Sequence, residues 1–188
     1  MAKYNIVYAD PPWSYNDKKC EGAAERQYKC IPLKDLCALP IKELLADDAI
    51  LFLWATYPKI EDALILIKAW GFAYKSIAFQ WVKLNKSGKG FFFGLGRWTR
   101  GNTEPCLIAV KGKPKRISPK VSQLIFSPLQ KHSTKPAVVR EKIIELIGDL
   151  PRIELFAREK AFGWDCLGNE IDNKDIRQAL EEKINETR

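Results

Sequence analysis

The sequence is poor in the residues that build disulfide frameworks and metal sites. It has a single histidine, His132, and five cysteines that are scattered without a C-x-x-C pair. The odd number and loose spacing of the cysteines argue against a disulfide framework, and one histidine gives little basis for a zinc site. We therefore predict reduced thiols, no bound metal and a cytoplasmic setting.

Long apolar runs are also missing. No stretch approaches the roughly 20 apolar residues that a membrane-spanning helix needs. A strand is predicted from Tyr4 onward, so no signal peptide is expected. The 188 residues fit one domain with a sizeable core.

Positive charge is what the chain has in excess. Its 31 Lys and Arg residues against 23 Asp and Glu residues give a formal net charge of +8. Because cationic side chains displace counterions from phosphates, this balance favours a polyanionic partner. A basic surface without such a partner is the alternative that charge alone leaves open.

Apolar strands alternate with helical segments along the chain. This alternation predicts an α/β fold with a mixed, mostly parallel sheet and helices on both faces. Ligands bind beyond the carboxyl ends of the strands in such sheets, where Asp10, Thr56 and Arg158 are expected. The predicted strands are Tyr4–Ala9, Ala49–Trp54, Tyr74–Lys83, Cys106–Val110, Gln123–Phe126 and Arg152–Ala157.

Helices are predicted between these strands, two short ones at Leu33–Leu39 and Ile41–Leu45 and longer ones between Pro58 and Gly71 and at Pro136–Ile147. The charged helical segment after Asn173 is expected to be a surface appendage. The main domain is therefore placed at residues 1–171 and a helical tail at 172–188. Residues predicted to face the core are Ala63, Ile67 and Trp70, then Ile77, Phe79 and Trp81 on one side of their strand, then Val139, Ile143 and Ile147.

An acid, two prolines and an indole, Asp10-Pro11-Pro12-Trp13, follow the first strand directly. The exocyclic amine of adenine is a poor nucleophile because its lone pair is delocalised into the ring. Asp10 offers a carboxylate to its N–H bonds, and Pro11 offers a carbonyl whose direction is held by the fixed proline φ. Pro11 and Pro12 lack competing N–H groups, and Trp13 can stack on a planar base. The tetrad predicts methylation of an amino group on such a base.

A simple strand-ending turn is the alternative for this tetrad. In that case Asp10 would bond nearby backbone and the prolines would stiffen the chain. The tryptophan and the strong preceding strand favour the catalytic interpretation.

Further motifs follow the tetrad in order from about Lys3 to Ile171. Together they resemble the N6-adenine methyltransferases related to the seventy-kilodalton subunit of the mRNA adenosine methyltransferase. Besides the tetrad, the resemblance covers Ala49–Trp54, Gln80–Lys83, Cys106–Pro114, His132–Pro136, Ile153–Arg158, Trp164 and Gly168–Glu170.

The resemblance implies a Rossmann-like methyltransferase fold and S-adenosylmethionine as methyl donor. Phe156 is then expected to pack on the donor's adenine ring, Arg158 to bond its ribose and Lys135 to approach its carboxylate. Asn169 and Glu170 match positions that grip the ribose hydroxyls. The implied donor site comprises Asp10, His132, Ser133, Lys135, Glu154, Leu155, Phe156, Arg158, Asn169 and Glu170.

Two of these assignments have alternatives. Glu154 and Arg158 can also be interpreted as a surface ion pair, which is common and weak. His132 could act as a general base, since its charge changes near neutral pH. The family mechanism needs no such base, which favours a place on the donor side or in a loop.

Two departures indicate a branch of the family. Glu159-Lys160-Ala161 stands where the eukaryotic members have Pro-His-Asn, and Glu170 stands where they have glutamine. No donor contact is carried over to Glu159–Ala161. The pattern resembles the shorter bacterial and phage members, whose usual substrate is DNA.

Two polar loops, from Ser14 to about Lys29 and from Asn85 to Thr103, are predicted to form the substrate surface. Both interleave basic and aromatic residues, as binding to a nucleic-acid backbone and its bases requires. Phe91–Phe93 can equally pack down on the core. The residues assigned to substrate binding are Lys18, Lys19, Arg26, Tyr28, Arg97, Trp98 and Arg100.

The sequence thus predicts an S-adenosylmethionine-dependent enzyme that methylates N6 of adenine in DNA, as a monomer or homodimer. Methylation of RNA adenine is an alternative, because nothing visible reads the 2′-OH. Methylation of a protein or small-molecule amine is another, which the positive charge disfavours. A non-catalytic nucleic-acid-binding partner subunit is the last, which the presence of Asp10 disfavours.

Overall fold

The computed structural model describes residues 3–14, 30–96, 98–129, 134–171 and 174–187. The described chain forms seven strands and four α-helices. The strands are β1 (Tyr4–Ala9), β2 (Leu45–Trp54), β3 (Ala73–Leu84), β4 (Thr103–Lys111), β5 (Leu124–Pro128), β6 (Arg152–Leu155) and β7 (Asp165–Leu167). The helices are α1 (Leu33–Cys37), α2 (Ile60–Ala69), α3 (Val138–Ile147) and α4 (Ile176–Thr187), with short 3-10 helices at Ile41–Leu44 and Tyr57–Lys59.

The strands form one mixed sheet in the order β5-β3-β4-β2-β1-β6-β7. β1 lies between β2 and β6 and is parallel to both, and β7 continues the parallel run beyond β6. β4 is antiparallel to its neighbours β2 and β3. The start of β4 therefore lies at the same edge as the carboxyl ends of the other strands.

Helices cover both faces of this sheet. On one face α1, α2, α4 and the 3-10 helix Ile41–Leu44 pack against alternate strand residues that include Val7, Leu51 and Leu53. On the other face α3 packs against Ile6 and Phe52. The sequence-based prediction of a mixed α/β sheet covered on both sides is confirmed, and it is consistent with a Rossmann-like fold.

Ile77 does not share a face with Phe79 and Trp81, so this prediction was wrong. Ile77 pairs with Leu107 and Phe79 pairs with Cys106, which leaves one extra residue in β3 and makes a β-bulge. The bulge moves Ile77 to the α2 face, whereas Phe79 and Trp81 pack on the α3 face. A hydrophobic pattern read with a strict period of two does not reveal such an insertion.

The C-terminal helix α4 is part of the core rather than a surface appendage. Ile176, Leu180 and Ile184 recur every four residues, so they form one stripe, and all three are buried. They join the cluster that also contains the residues of α1 and α2. The charged residues between them, which suggested an appendage, occupy the rest of the helix surface. The boundary between residues 171 and 172 stays a prediction.

Most of the other predicted elements lie within a few residues of their observed positions, and the predicted core residues of α2 and α3 are confirmed. β2 begins earlier than predicted, at Leu45, directly after the 3-10 helix. β6 ends earlier, because Phe156 has a φ of 60° and leaves the extended conformation. The three-residue strand β7 was not predicted, since Asp165-Cys166-Leu167 carries no apolar run.

Two predictions from composition concerned the cysteines and membrane-spanning helices. Cys37, Cys106 and Cys166 are thiols outside any disulfide. Among the described residues no helix is both long and apolar enough to cross a membrane.

Candidate active site

Three neighbouring parallel strands end at the same level. Ala9 of β1 pairs with Leu155 of β6, and Leu155 pairs in turn with Leu167 of β7. The first residue after each strand is Asp10 for β1, Phe156 for β6 and Gly168 for β7. Because adjacent strands lie about 4.8 Å apart, the backbone at Asp10 and at Gly168 is separated by about two strand spacings, roughly 10 Å. The sheet therefore brings the predicted acceptor end and the predicted donor end of the site together.

The antiparallel strand adds a second carboxylate to this edge. Glu104 is the second residue of β4 and pairs with Trp81 near the end of β3. It is one of only two buried charged residues among the described part of the chain, the other being Glu154. A buried charge is costly unless it is paired, so Glu104 needs cationic partners.

Lys135 joins the two carboxylates. Its ammonium Nζ lies 2.8 Å from Oδ2 of Asp10 and 3.1 Å from Oε1 of Glu104. Lys83 lies 2.7 Å from the other oxygen of Glu104. The result is a chain of alternating charges, Asp10–Lys135–Glu104–Lys83, that runs across the ends of β1, β4 and β3.

Aromatic rings form the floor of this charge chain. The Lys135 ammonium lies 5.5 Å from the ring centre of Trp54, and that of Lys83 lies 5.0 Å from Trp81. Such cation–π contacts stabilise cations that have lost part of their water. The Trp54 indole is itself fixed, because its Nε1 donates a 2.7 Å hydrogen bond to the Tyr8 hydroxyl.

The two carboxylates have opposite electrostatic character. Burial raises the pKa of Asp10, and the negative charge of Glu104 adds to this, although Lys135 opposes it. Burial also acts to raise the pKa of Glu104, but Lys135 and Lys83 outweigh it and hold that pKa below its ordinary value. Lys135 itself has a raised pKa, because its two carboxylate partners outweigh its burial. Glu104 and Lys135 are therefore firmly ionised, whereas Asp10 gains a proton more easily than an exposed aspartate.

The backbone of the tetrad forms a tight, bonded turn. The Trp13 N–H donates to the Pro11 carbonyl at 2.9 Å, and the Ile31 N–H donates to the Pro12 carbonyl at 3.0 Å. A carbonyl oxygen has two lone pairs, so Pro11 can still accept from a substrate amine. The turn is compatible with the acceptor role of the Pro11 carbonyl, and that role stays a prediction.

Trp13 lies in the core of the structure. It is only 6% exposed, and its Nε1 donates a 3.1 Å hydrogen bond to the Trp54 carbonyl. A base could stack on this indole only after a rearrangement. In the described conformation Trp13 anchors the turn against the end of β2, and its stacking role stays a prediction.

Glu154 pairs with Arg140 of α3. The guanidinium binds both carboxylate oxygens, at 2.6 Å and 3.0 Å. Burial raises the pKa of Glu154, and Arg140 opposes this rise without cancelling it. The predicted ion-pair alternative named Arg158, yet the partner is Arg140 on the neighbouring helix, which holds Glu154 beneath the strand ends.

The turn after β7 is packed closely against the chain that leaves β6. A Cβ on Gly168 would lie 2.1 Å from the Ala157 carbonyl oxygen and 2.7 Å from the Ala157 nitrogen, so no other residue fits there. The Ala157 N–H also donates to the Leu167 carbonyl at 2.9 Å. Asn169 and Glu170, which follow directly, are exposed beside this crossing. Phe156 and Arg158 are half-buried.

Trp98 and Arg100 of the second predicted loop are exposed. Phe91 and Phe93 are more than half exposed as well, so these two rings do not pack down on the core; the neighbouring Phe92 is half-buried. Outside the described residues lie Lys18, Lys19, Arg26, Tyr28, Arg97, His132 and Ser133.

The sequence reasoning missed several side chains that build this site. Glu104, Lys83 and Arg140 reach it through sheet register and helix packing rather than through a local motif. A signal was present for Glu104, since an acid at the start of the strongly apolar strand β4 is unusual. In the sequence, Tyr8 and Trp54 do not differ from ordinary apolar strand residues.

Comparison with known proteins identifies the lineage of this site. The family model MT-A70 matches residues 4–170. The chain belongs to the MT-A70 family. The sequence-based prediction of this family is thereby confirmed, and the matched region contains the tetrad, the charge chain and the strand-end residues.

Individual relatives of this MT-A70 chain fall into two groups by length. It is 35% identical to the type II methyltransferase M.MunI of Mycoplasma sp over an alignment that covers 99% of this chain and 85% of M.MunI. It is 30% identical to the human N(6)-adenosine-methyltransferase catalytic subunit METTL3 and 29% identical to the MT-A70-like protein of Drosophila melanogaster. The alignments with these two cover 92% of this chain but only 29% and 28% of the relatives.

Proposed function

We propose that this chain transfers a methyl group from S-adenosylmethionine to N6 of adenine in DNA. Membership of the MT-A70 family and similarity to M.MunI over nearly the whole chain make it a methyltransferase. The observation that carries the proposal for the acceptor is the Asp10 carboxylate. It follows β1 directly, beside the ends of two neighbouring parallel strands, in a polar cluster that lies on aromatic rings.

The residues at the strand ends fit the proposed donor. The ammonium of Lys135 is present for a carboxylate. The exposed amide and carboxylate of Asn169 and Glu170 suit ribose hydroxyls, and Phe156 offers an aromatic face. The close crossing at Gly168 fixes the backbone that presents Asn169 and Glu170. When bound, the donor supplies a methyl group on a positively charged sulfur, which an amine can accept.

Asp10 is proposed to hold the acceptor amine. Lys135 is placed at Oδ2 of Asp10, and a carboxylate can accept several further hydrogen bonds, so the amine N–H can bind alongside it. The Pro11 carbonyl accepts the second N–H. Both acceptors draw electron density towards the amine nitrogen and favour its pyramidal form. Positioning and electrostatics therefore provide the catalysis.

DNA is proposed rather than RNA as the substrate. The chain spans most of M.MunI, a type II methyltransferase, but less than a third of METTL3. The net charge of +8 suits either polymer, and so do the exposed Trp98 and Arg100. A monomer or homodimer in the cytoplasm stays a prediction, as do Lys18, Lys19, Arg26, Tyr28 and Arg97 as substrate contacts.

A direct comparison of substrates tests this proposal. The protein is incubated with S-adenosylmethionine carrying a labelled methyl group and with unmethylated DNA, RNA of the same sequence, or a lysine-rich peptide. The label is expected in DNA. Label found in RNA alone or in the peptide alone would contradict the proposed substrate, while no transfer to any of them would contradict the activity.

A further inference from the structure

The chain between β3 and β4 forms a narrow arm at the edge of the sheet that carries the candidate active site. This 85–102 arm, whose residue 97 lies outside the described part of the chain, is tied at its base to the end of β3. The Phe92 N–H donates to the Lys83 carbonyl at 2.8 Å, and the Lys83 N–H donates to the Asn102 carbonyl at 2.9 Å. Further out, the Gly94 N–H donates to the Gly101 carbonyl at 2.9 Å.

Glycines allow the arm to close to a thin tip. A Cβ at Gly94 would lie 2.5 Å from the Gly101 carbonyl oxygen, and a Cβ at Gly96 would lie 2.0 Å from the Thr99 carbonyl oxygen. Any larger residue at either position would force the two sides of the arm apart. The glycines therefore allow the two sides of the arm to lie in close contact at these positions.

The tip exposes two large apolar side chains to solvent. Leu95 is 94% exposed and Trp98 is 97% exposed, whereas the other five tryptophans of the chain are buried. Exposing such residues on a thin projection stabilises nothing in the free protein. Clustered apolar exposure of this kind marks a binding surface.

The charges of the arm indicate which kind of partner this surface suits. Its four charged residues are all cations, Lys86, Lys89, Arg97 and Arg100, and it contains no acid. An apolar tip on an arm whose charges are all positive suits the base stack and phosphates of nucleic acid. It disfavours a second copy of this chain, which carries the same positive charge.

The base of the arm connects directly to the active-site charges. Lys83, just before the arm, binds Glu104, just after it, at 2.7 Å. Glu104 in turn binds Lys135, which binds Asp10. Two ion pairs therefore link Glu104, at the base of the arm, to the Asp10 carboxylate.

We propose that the tip of the 85–102 arm is a wedge, in which Leu95 and Trp98 insert into the base stack of a DNA duplex and hold the target adenine outside it. An enzyme that acts on the exocyclic amine of a base must take that base out of the duplex, and apolar side chains between base steps are a known way to do so. This inference rests on the proposed function and adds how duplex substrate is opened.

The first test compares paired with unpaired adenine. Sites modified by the wild-type protein are mapped on long unmethylated DNA, and an oligonucleotide duplex with such a site is made with thymine or with a mismatched base opposite the adenine. In the Leu95→Ala/Trp98→Ala variant the rate on the paired duplex is expected to fall about tenfold or more, and the mismatch is expected to restore most of it. Equal losses on both duplexes, or no loss on either, would overturn the wedge.

Phe162→Ala serves as the matched control, since Phe162 is also a fully exposed aromatic residue. It lies just before β7, which is the outermost strand on the side of the sheet away from β3. The neighbouring Gly163 approaches the Arg152 guanidinium there. Its ratio of rates on the two duplexes is expected to equal that of the wild type. A changed ratio in this control would show that the assay reports any exposed aromatic residue, and the wedge would not stand.

A second test needs no methyl transfer, so it separates the wedge from the proposed function. Because Trp98 is the single exposed tryptophan, quenching of fluorescence by acrylamide reports on it selectively. Duplex DNA is expected to reduce the quenching of the wild-type fluorescence by acrylamide. It is expected to leave the quenching of the Trp98→Phe variant unchanged. Protection without any methylation would keep the wedge and reject the activity. Continued quenching in the DNA complex, or protection by self-association without DNA, would overturn the wedge.

Discussion

At the scale of single residues, the Asp10 carboxylate shares Lys135, its ammonium partner among the described residues, with a second carboxylate. Lys135 binds both Asp10 and Glu104, and Lys83 binds Glu104 from the other side. The sequence alone pointed to Asp10 and Lys135, because both stand in motifs that resemble the family. It did not point to Glu104 or Lys83, because the register between β3 and β4 brings those two together.

The Asp10→Asn variant tests the role of the carboxylate. An amide can still accept one hydrogen bond but carries no charge, so the methyl-transfer rate is expected to fall about 100-fold or more. Binding of S-adenosylmethionine, measured by titration calorimetry, is expected to change little. Normal turnover by this variant would remove Asp10 from the reaction.

The pH dependence of the rate tests the charge chain. Asp10 accepts the amine only when it is ionised, and burial raises its pKa. The acid limb of the kcat/KM profile is therefore expected above the ordinary aspartate value. Removing the negative charge with Glu104→Gln favours the Asp10 carboxylate and should shift the limb to lower pH.

The opposite shift is expected for Lys135→Gln. Loss of the cation disfavours the Asp10 carboxylate, so the acid limb should move to higher pH. Glu159→Gln is the control, because Glu159 is exposed and contacts Arg140 rather than Asp10. Shifts of the same sign in the Glu104 and Lys135 variants would contradict the proposed coupling.

At the scale of elements, the apolar patterns located the strands and helices but not their exceptions. The periodicity of α3 was sufficient to predict Val139, Ile143 and Ile147 as its buried face. The bulge in β3 has no hydrophobic signature, so the face of Ile77 could not be predicted. β7 forms because β6 offers a free edge, which is a property of the folded sheet and not of the three residues themselves.

Helix α4 provides a stability prediction at this scale. Leu180 is fully buried among residues of the same cluster as α1 and α2. Leu180→Ala is expected to lower the free energy of unfolding by about 2–4 kcal/mol. Glu181→Ala on the exposed side should change it by less than about 0.5 kcal/mol. Urea unfolding followed by circular dichroism measures both, and equal small effects would return α4 to the role of an appendage.

At the scale of the whole molecule, the positive charge is expected to control DNA affinity. Each phosphate contact releases counterions, so the logarithm of the association constant should fall linearly with the logarithm of salt concentration. Arg100→Ala should reduce the magnitude of this slope by about 0.9 if Arg100 contacts a phosphate. Fluorescence anisotropy with labelled duplex at several salt concentrations measures it. An unchanged slope would place Arg100 away from the DNA backbone.

The architecture of the whole molecule was largely predictable, because strand and helix patterns alternate over most of the chain, with β3, β4 and β5 as the exception. The meeting of its two ends was predictable only through the resemblance to a family. Asp10 and Gly168 are far apart in sequence, and they come together because β1, β6 and β7 are adjacent and in register. Strand adjacency of this kind is set by packing of the complete sheet.

The measurement that tests the central claim most directly is the identity of the methylated base. DNA treated with the wild-type protein and S-adenosylmethionine is digested to nucleosides, which are separated and identified by mass spectrometry. The account predicts N6-methyladenine, whose rate of formation falls about 100-fold or more when Asp10→Asn replaces the wild type. Methylcytosine as the product, or N6-methyladenine formed equally by the Asp10→Asn variant, would contradict it.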